Sequence, residues 1–210
     1  MAADVCVIVY AKAPVPGQVK TRLMPALDAE QAALLHAALV ERALETALAA
    51  DPAGVELCCA PDASHAFFET CAEDFEVDLT EQGEGNLGER MRRTLEHALE
   101  DFDAAIIIGA DAPSVTPKHL RAAAAALAEN DIVLAPADDG GYVLIGARRT
   151  ADGMFRGIDW GTGQVMAQQR AALTACNLTW RELETLWDVD RPEDLPRLKS
   201  LKPPLAFFWT

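Results

Sequence analysis

Apolar runs and helical stripes alternate along this chain. Residues 5–11 (VCVIVYA) and 104–108 (AAIII) are apolar at every position, which is typical of parallel strands covered on both faces. The Leu- and Ala-rich stretch that follows Asp28 has helical spacing to about Ala50, and Asp28 with Gln31 forms a capping box at its start. This alternation predicts a three-layer α/β/α sandwich around a mostly parallel sheet.

Weaker patterns predict the remaining elements. Strands are expected over residues 55–60, 75–79, 132–136, 142–147 and 178–183. Helices are expected over 65–72, 86–102 and 116–129, from the glycine-rich stretch around 160 to about 175, and over a short segment from 192. The sequence DDGG at 138–141 suits a hairpin turn, which makes the sheet mixed. There is no linker-like stretch and no internal repeat, so residues 1–210 are predicted to form one domain.

Charge and cysteine content restrict the partners. The chain carries 18 Lys and Arg against 33 Asp and Glu, and a net charge of −15 opposes binding to nucleic acid or an anionic membrane. The five cysteines lack metal-type spacing, and neither a signal-peptide pattern nor a membrane-spanning run is evident. We therefore expect a cytoplasmic protein. Phe207, Phe208 and Trp209 are expected to pack on the core or on a second copy in a homodimer.

The loop after the first strand is a candidate phosphate site. Residues 5–27 contain no Asp or Glu, whereas Lys12, Lys20 and Arg22 make the stretch basic within an acidic chain. Such cations neutralise phosphate charge, and Gly17 would let the backbone approach a phosphate closely. The P-loop pattern is absent. A solvated surface loop is the alternative, but surface loops normally mix both signs, so phosphate binding is favoured.

Three aspartates are candidates for metal binding or catalysis. Asp111 follows the most apolar strand, where it would face the ligand crevice and could hold Mg²⁺, or could simply begin a turn. Asp190 could add a second carboxylate or help to start the final helix. Asp159 could act as a general base, or could cap a helix beside a core tryptophan.

Two glycine-containing loops are candidate ligand walls. Gly85 belongs to a G-x-G-x-x-G sequence at 83–88 that precedes a helix, and a helix N-terminus facing a nucleotide is favoured there over dinucleotide binding. The hairpin and the loop near 160 could form the wall of an acceptor site, or only a turn and a helix start. The acceptor-site residues are Asp139, Gly140, Gly141, Tyr142, Trp160 and Thr162.

Six ordered stretches resemble the bacterial DUF2064 family, described as glycosyltransferase A-type (GT-A) or radical-SAM/selenodomain-associated transferase 1 proteins of the nucleotide-diphospho-sugar transferase superfamily. The stretches are KAPVPGQVKTRL (12–23), QGEGNLGERM (82–91), GADAPSV (109–115), PADDGGYVLIG (136–146), GIDWGT (157–162) and WDVDRPEDL (187–195). They extend over nearly the whole chain. The resemblance implies a GT-A fold, but a family likeness does not determine the reaction.

The resemblance also implies a Mg²⁺- or Mn²⁺-dependent transferase that binds a nucleotide or nucleotide sugar and a small acceptor. Lys12, Lys20 and Arg22 would bind phosphates, and Asp111 with Asp190 would hold the metal. Independently of the resemblance, the local motifs make Lys20, Arg22 and Asp159 the candidate catalytic residues.

Three functions stay open at this point. The family description favours glycosyl transfer from a nucleoside diphosphate sugar. Asp111 is followed by Ala112 and Pro113 rather than by a second Asp, which is closer to the pattern of nucleotidyltransferases that use a nucleoside triphosphate. A nucleotide-binding partner protein without turnover is the third interpretation.

Overall fold

The computed structural model describes residues 3–205, so the predicted packing of Phe207, Phe208 and Trp209 lies outside the described residues. Its strands are β1 (Val5–Lys12), β2 (Gly54–Ala60), β3 (Asp78–Glu81), β4 (Ala104–Gly109), β5 (Ile132–Pro136), β6 (Tyr142–Ala147) and β7 (Trp180–Glu182). Its helices are α1 (Ala29–Leu48), α2 (Ala66–Phe75), α3 (Leu87–Ala98), α4 (Pro117–Leu127) and α5 (Val165–Ala175), with 3₁₀ segments at Thr21–Leu23 and Pro192–Ser200.

The strands form one mixed sheet in the order β3-β2-β1-β4-β6-β5-β7. β1 is parallel to both β2 and β4, and β2 is parallel to β3. β6 alone is reversed within this described sheet, antiparallel to β4 on one side and β5 on the other, while β5 and β7 are parallel. The predicted mixed sheet and the β5–β6 hairpin are therefore confirmed.

Two apolar layers cover the sheet, as the continuous apolar strands require. One face of β1 packs with α1, α2 and α4. The other face packs with α3 and α5. The three-layer sandwich is confirmed. Within residues 3–205, no helix combines the length and the apolarity that crossing a membrane would require.

Some element boundaries differ from the sequence prediction. The strand expected at 75–79 begins only at Asp78, because α2 continues through Phe75 and ends where Glu76 adopts a left-handed conformation (φ 53°). The aromatic ring of Phe75 packs on the core as part of that helix rather than as part of a strand. The helix expected to reach residue 102 ends at Ala98. Local patterns indicate an element more reliably than its last turn.

A third apolar cluster joins the late part of the chain to the first loop. Leu23, at the end of the first 3₁₀ segment, packs with Leu35 and Leu39 of α1. The same cluster contains Val189, then Leu195 and Leu198 of the second 3₁₀ segment, and Leu201 directly after that segment. This cluster fixes residues 187–201 beside the loop that follows β1.

Asp131 connects three strand ends at the far edge of the sheet. Its carboxylate accepts hydrogen bonds from Arg149 Nε (2.8 Å) and Nη2 (3.0 Å), and from the backbone N–H (2.8 Å) and hydroxyl (2.9 Å) of Thr179. These bonds, above all those from Arg149, hold the pKa of Asp131 well below its ordinary value. The Asp131 side chain is only 10% exposed, whereas that of Arg149 is 54% exposed.

We expect Asp131→Asn to lower the free energy of unfolding at pH 7 by about 2–3 kcal/mol, because charge-assisted hydrogen bonds are lost. A lowered folded-state pKa stabilises the protein above the unfolded-state pKa of about 3.9, and the gain disappears as the pH falls through the folded-state value. Urea unfolding at pH 7 and pH 3 measures the effect, with Asp152→Asn at an exposed carboxylate as control. An equal loss at both pH values would contradict this account.

Candidate functional site

A cavity of about 510 Å³ opens at the carboxyl ends of β1 and β4. Ligands of open α/β sheets bind at this edge. Because β6 is antiparallel to β4, its first residues also reach this edge, and the start of α3 closes the cavity from the side. Of the sequence-predicted site residues, the cavity wall includes Lys12, Lys20, Arg22, Asp111, Asp139, Gly141, Tyr142, Trp160, Thr162 and Asp190.

Lys20 is the best buried cation of the predicted phosphate loop. It adopts a left-handed conformation (φ 49°) just before the first 3₁₀ segment, and its side chain is only 6% exposed. Its ammonium group donates to the carbonyl of Val189 at 2.7 Å and to Asp111 Oδ2 at 3.3 Å. Lys20 therefore connects the first loop to the end of β4 and to residues 187–190.

Arg22 forms a second connection between the same two segments. Its Nη1 lies 2.5 Å from Asp190 Oδ2, and the two side chains are 60% and 35% exposed. The backbone N–H groups of Asp190 and Arg191 are bound by Asp194, so the helix-start role considered for Asp190 belongs to Asp194. Asp190 instead neutralises one of the predicted phosphate-binding cations.

Asp188 is a cavity residue that the sequence analysis did not select. Burial and the negative charges of Asp111 and Asp139 raise its pKa to about 7. Val189, between the two aspartates, packs into the third apolar cluster, and its N–H donates to the carbonyl of Asp111 at 2.9 Å. The sequence feature that could have identified Asp188 is the alternation Asp-Val-Asp at 188–190. In an extended segment, side chains two residues apart lie on the same side, so Asp188 is expected on the same side as Asp190.

Asp111 remains a carboxylate in this setting. Burial raises its pKa, but the charge and hydrogen bond of Lys20 outweigh that effect and leave the pKa below its ordinary value. The side chain is 42% exposed toward the cavity. Asp111 is therefore an ionised oxygen donor accessible to a ligand.

A divalent cation fits the chemistry of these donors. No group of three or more His, Cys, Asp or Glu side chains in residues 3–205 is arranged to hold a metal. However, Asp111 and Asp188 both line the cavity, and the raised pKa of Asp188 is caused by burial first and by the charge of Asp111 second. Mg²⁺ needs only one or two carboxylates when phosphate oxygens and water complete its shell.

Four predicted residues are not in the cavity wall. Asp159 is exposed, and its Oδ2 accepts a hydrogen bond from Gln168 Nε2 at 2.7 Å, so the structure does not bring it to the site as a base. Gly17 is exposed, with no neighbour that would exclude a side chain. A Cβ at Gly85 would lie 2.5 Å from the capping carboxylate of Glu89, so helix capping accounts for this glycine.

Gly140 has a packing role in the hairpin. Its φ is +89°, and a Cβ there would lie 2.5 Å from the carbonyl oxygen of Gly163. The carbonyl of Gly140 accepts a hydrogen bond from the N–H of Met166 at 2.9 Å, in the first turn of α5. The hairpin turn and the start of α5 therefore form one continuous wall beside the cavity.

His36 supports the first loop from below. It is buried, its Nε2 donates to the carbonyl of Lys12 at 2.9 Å, and burial together with the charge of Lys20 lowers its pKa to about 4. The imidazole is thus neutral at pH 7.

Comparisons with known proteins identify a family and a shared fold. A bacterial family described as "Uncharacterized protein conserved in bacteria (DUF2064)" matches residues 43–162. A crystal structure from Desulfovibrio desulfuricans G20, provisionally described as a nucleotide-diphospho-sugar transferase, is 30% identical with a TM-score of 0.83, over 94% of this chain and 88% of that one. No functionally curated protein matches the sequence.

Two more distant structures share the fold. One is a CMP:2-keto-3-deoxy-manno-octonic acid synthetase complexed with CTP, with 12% identity, 95% and 98% coverage and a TM-score of 0.58. The other is Rv0371C from Mycobacterium tuberculosis H37Rv complexed with manganese, with 19% identity, 93% and 97% coverage and a TM-score of 0.53.

Proposed function

Because this chain belongs to the bacterial DUF2064 family and has the nucleotide-diphospho-sugar transferase fold, we propose that it is a metal-dependent transferase with a nucleotide-bearing donor. One observation carries the proposal: the cations of the first loop and the carboxylates Asp111 and Asp188 line the same cavity at the ends of β1 and β4. Cations suit the donor phosphates, and carboxylates suit a divalent cation between those phosphates and the protein.

The residues would act by positioning and by charge neutralisation. Lys12 has no carboxylate partner among residues 3–205, while Lys20 and Arg22 each hold an aspartate that phosphate oxygens could replace. Asp111 and Asp188 would hold Mg²⁺ or Mn²⁺, and Asp190 would balance Arg22 until the phosphates bind. When bound, the cation would neutralise the negative charge that develops on the leaving phosphate group.

Glycosyl transfer from a nucleoside diphosphate sugar to a small acceptor is the first candidate reaction. The description of the 30% identical relative supports it. The bond from the sugar's anomeric carbon to the phosphate oxygen breaks, the acceptor oxygen takes that carbon and loses its proton, and nucleoside diphosphate leaves.

Nucleotidyl transfer is the second candidate. It is favoured by the single Asp111 before Ala112 and Pro113, and by a structural relative that binds CTP. In this reaction an acceptor oxygen attacks the α-phosphorus of a nucleoside triphosphate and pyrophosphate leaves. The product therefore distinguishes the two reactions.

Calorimetric titration tests the proposal directly. The purified protein is titrated with nucleoside triphosphates and nucleoside diphosphate sugars, with and without Mg²⁺, and Asp111→Ala serves as the site variant. We expect metal-dependent binding of one ligand class that the variant loses. Binding of a nucleoside diphosphate sugar supports glycosyl transfer, and binding of a triphosphate supports nucleotidyl transfer. If no ligand of either class binds, or if Asp111→Ala binds as wild type, the proposal fails.

A matched pair of variants tests whether Asp188 or Asp190 is the second metal ligand beside Asp111. We expect Asp188→Asn to weaken Mn²⁺ binding, in the presence of the nucleotide, by about tenfold or more, because a ligand is removed. Asp190→Asn should change Mn²⁺ affinity less than about threefold, since an exposed pair with Arg22 contributes little. Calorimetry with MnCl₂ measures both. The reverse ranking would assign the metal to Asp190.

A further inference from the structure

The residues that line the cavity fall into two groups by composition, which we call the outer half and the inner half. The outer half carries the charged residues of the first loop and the aspartates. The inner half lies between α3, α5 and the sheet, and its walls are mainly apolar and aromatic, with Tyr10, Met91, Tyr142 and Trp160 around one arginine, Arg90.

We propose that this inner half is the acceptor subsite, and that the acceptor is a small molecule with a flat or apolar body and one oxyanion, a carboxylate or a phosphate, bound by Arg90. This inference rests on the transferase function proposed above and adds the chemical class of the second substrate.

Arg90 is oriented by a hydrogen-bond relay that begins at the sheet. Gln82, just beyond β3, is buried, and its Nε2 donates to the carbonyls of Ala11 (3.3 Å) and Cys58 (3.1 Å) at the ends of β1 and β2. These two bonds turn its Oε1 toward α3, where it accepts from Arg90 Nη1 at 3.1 Å. A side chain held in this way loses little further entropy when it binds a ligand.

The charge of Arg90 is not balanced by the protein. Among residues 3–205, no Asp or Glu forms an ion pair with Arg90, and its partner Gln82 is a neutral amide. In contrast, Lys20 and Arg22 at the outer half both have aspartate partners. Arg90 lines the cavity, and its buried Nε has no hydrogen-bond partner among residues 3–205. A guanidinium with an unused N–H donor and no counter-charge suits an oxyanion.

The two tyrosines of the inner half offer their rings rather than their hydroxyl groups. The hydroxyl of Tyr10 is hydrogen-bonded to Thr94 Oγ1 at 2.6 Å. The hydroxyl of Tyr142 donates to Gln169 Oε1 at 3.2 Å, and the fully buried Gln169 donates in turn to the carbonyl of Met154 at 2.7 Å. The hydroxyl groups of both tyrosines are therefore engaged in hydrogen bonds within the protein, and their rings are left to contact a ligand.

Trp160 extends this apolar surface. Its ring meets that of Tyr142 edge to face, with centroids 6.3 Å apart and an interplanar angle of 81°. Such a surface favours a flat or apolar ligand body over a heavily hydroxylated one, because hydroxyl groups would lose their hydrogen bonds to water without replacement. One apolar body and one anionic group together define the acceptor class.

Two aromatic probes test the subsite on the full-length protein. Phenyl phosphate and benzoate combine a flat ring with each type of oxyanion, and phenol presents the ring alone. We expect at least one of the anionic probes to bind wild type, measured by calorimetry, and the better of the two identifies the oxyanion. Phenol should bind at least about tenfold more weakly, the difference that a charge-assisted hydrogen bond supplies.

Substitutions of Arg90 test whether its guanidinium binds the oxyanion of the probe. Arg90→Gln should weaken the anionic probe at least about tenfold, and Arg90→Lys should retain part of the affinity. The control is Arg92→Gln on the same helix, whose side chain pairs with Glu96 and is outside the cavity wall, and which should bind as wild type. Failure of both anionic probes to bind wild type, or equal binding by Arg90→Gln, would overturn the inference.

Nucleotide titration separates this inference from the proposed function. If Arg90→Gln retains nucleotide affinity but loses the anionic probe, the acceptor assignment is supported. If it loses nucleotide affinity instead, Arg90 belongs to the donor site, and the acceptor assignment is wrong while the transferase proposal stands. If wild type binds no nucleotide, the transferase proposal fails first, and the acceptor assignment fails with it.

Discussion

Asp111→Asn is expected to lower turnover by about 10²–10³-fold, the loss typical of removing one essential electrostatic contact at a reaction centre. The substitution keeps the shape of the side chain and removes its charge. Asp111 lies at the end of β4, is partly exposed to the cavity, and would hold the cation on the donor phosphates. Steady-state assays of released nucleoside diphosphate or pyrophosphate measure the loss.

The stability of the same variant should fall as well, but not enough to unfold it. Because Lys20 holds the pKa of Asp111 below its ordinary value, removing the charge costs stability and leaves Lys20 without its counter-charge. The hydrogen bond that Lys20 keeps to the carbonyl of Val189 and the relief of repulsion on Asp188 limit the loss, so we expect a lower melting temperature in metal-free buffer for a protein that is still folded at the assay temperature. Asp138→Asn is the control, because that exposed carboxylate pairs with Arg197 and is outside the cavity wall. Full activity in Asp111→Asn, or unfolding as the cause of its inactivity, would contradict the assignment.

Lys20→Met is expected to impair both folding and nucleotide binding. The methionine side chain fills similar volume but donates no hydrogen bond to Val189 or Asp111. Leaving these partly buried acceptors unpaired should lower the free energy of unfolding by about 2–3 kcal/mol. Loss of a buried cation from the phosphate site should weaken nucleotide binding by about 10²-fold.

The control for Lys20→Met is Arg22→Met in the same loop. Arg22 is 60% exposed, and its pair with Asp190 is open to solvent, so its removal should cost less than about 1 kcal/mol. Urea unfolding gives the stability of both variants, and calorimetry gives their nucleotide affinity. Equal stability losses in the two variants would show that Lys20 has no special role in connecting the first loop to residues 187–190.

The parts of the fold that depend on local pattern could be predicted from the sequence. The capping box expected at Asp28 is present, and the hairpin strands β5 and β6 have the expected bounds. In each case the decisive interactions lie within a few residues. The basic character of the first loop is also a property of one continuous stretch, and its three cations do line the cavity, while phosphate binding there stays a prediction.

The site was harder to predict where it depends on contacts between distant residues. Asp188 and Asp190 look alike in sequence, and only the pairing of Asp190 with Arg22, 168 positions away, separates them. Arg90 was not identified, because its orientation comes through Gln82 from two strand ends. Asp159 was selected from its local motif, but Gln168 of α5 holds it away from the cavity wall.

The third apolar cluster has a consequence for how the cavity wall is completed during folding. β1 and β4 can pair once about half of the chain has been synthesised, whereas Asp188 reaches the cavity only after residues 189–201 dock on Leu23 and α1. Until then, Lys20 lacks the carbonyl of Val189 as a partner. A chain with a nearly complete sheet therefore still lacks one side of the cavity, since Asp188 and the carbonyl of Val189 take their places only when residues 187–201 dock.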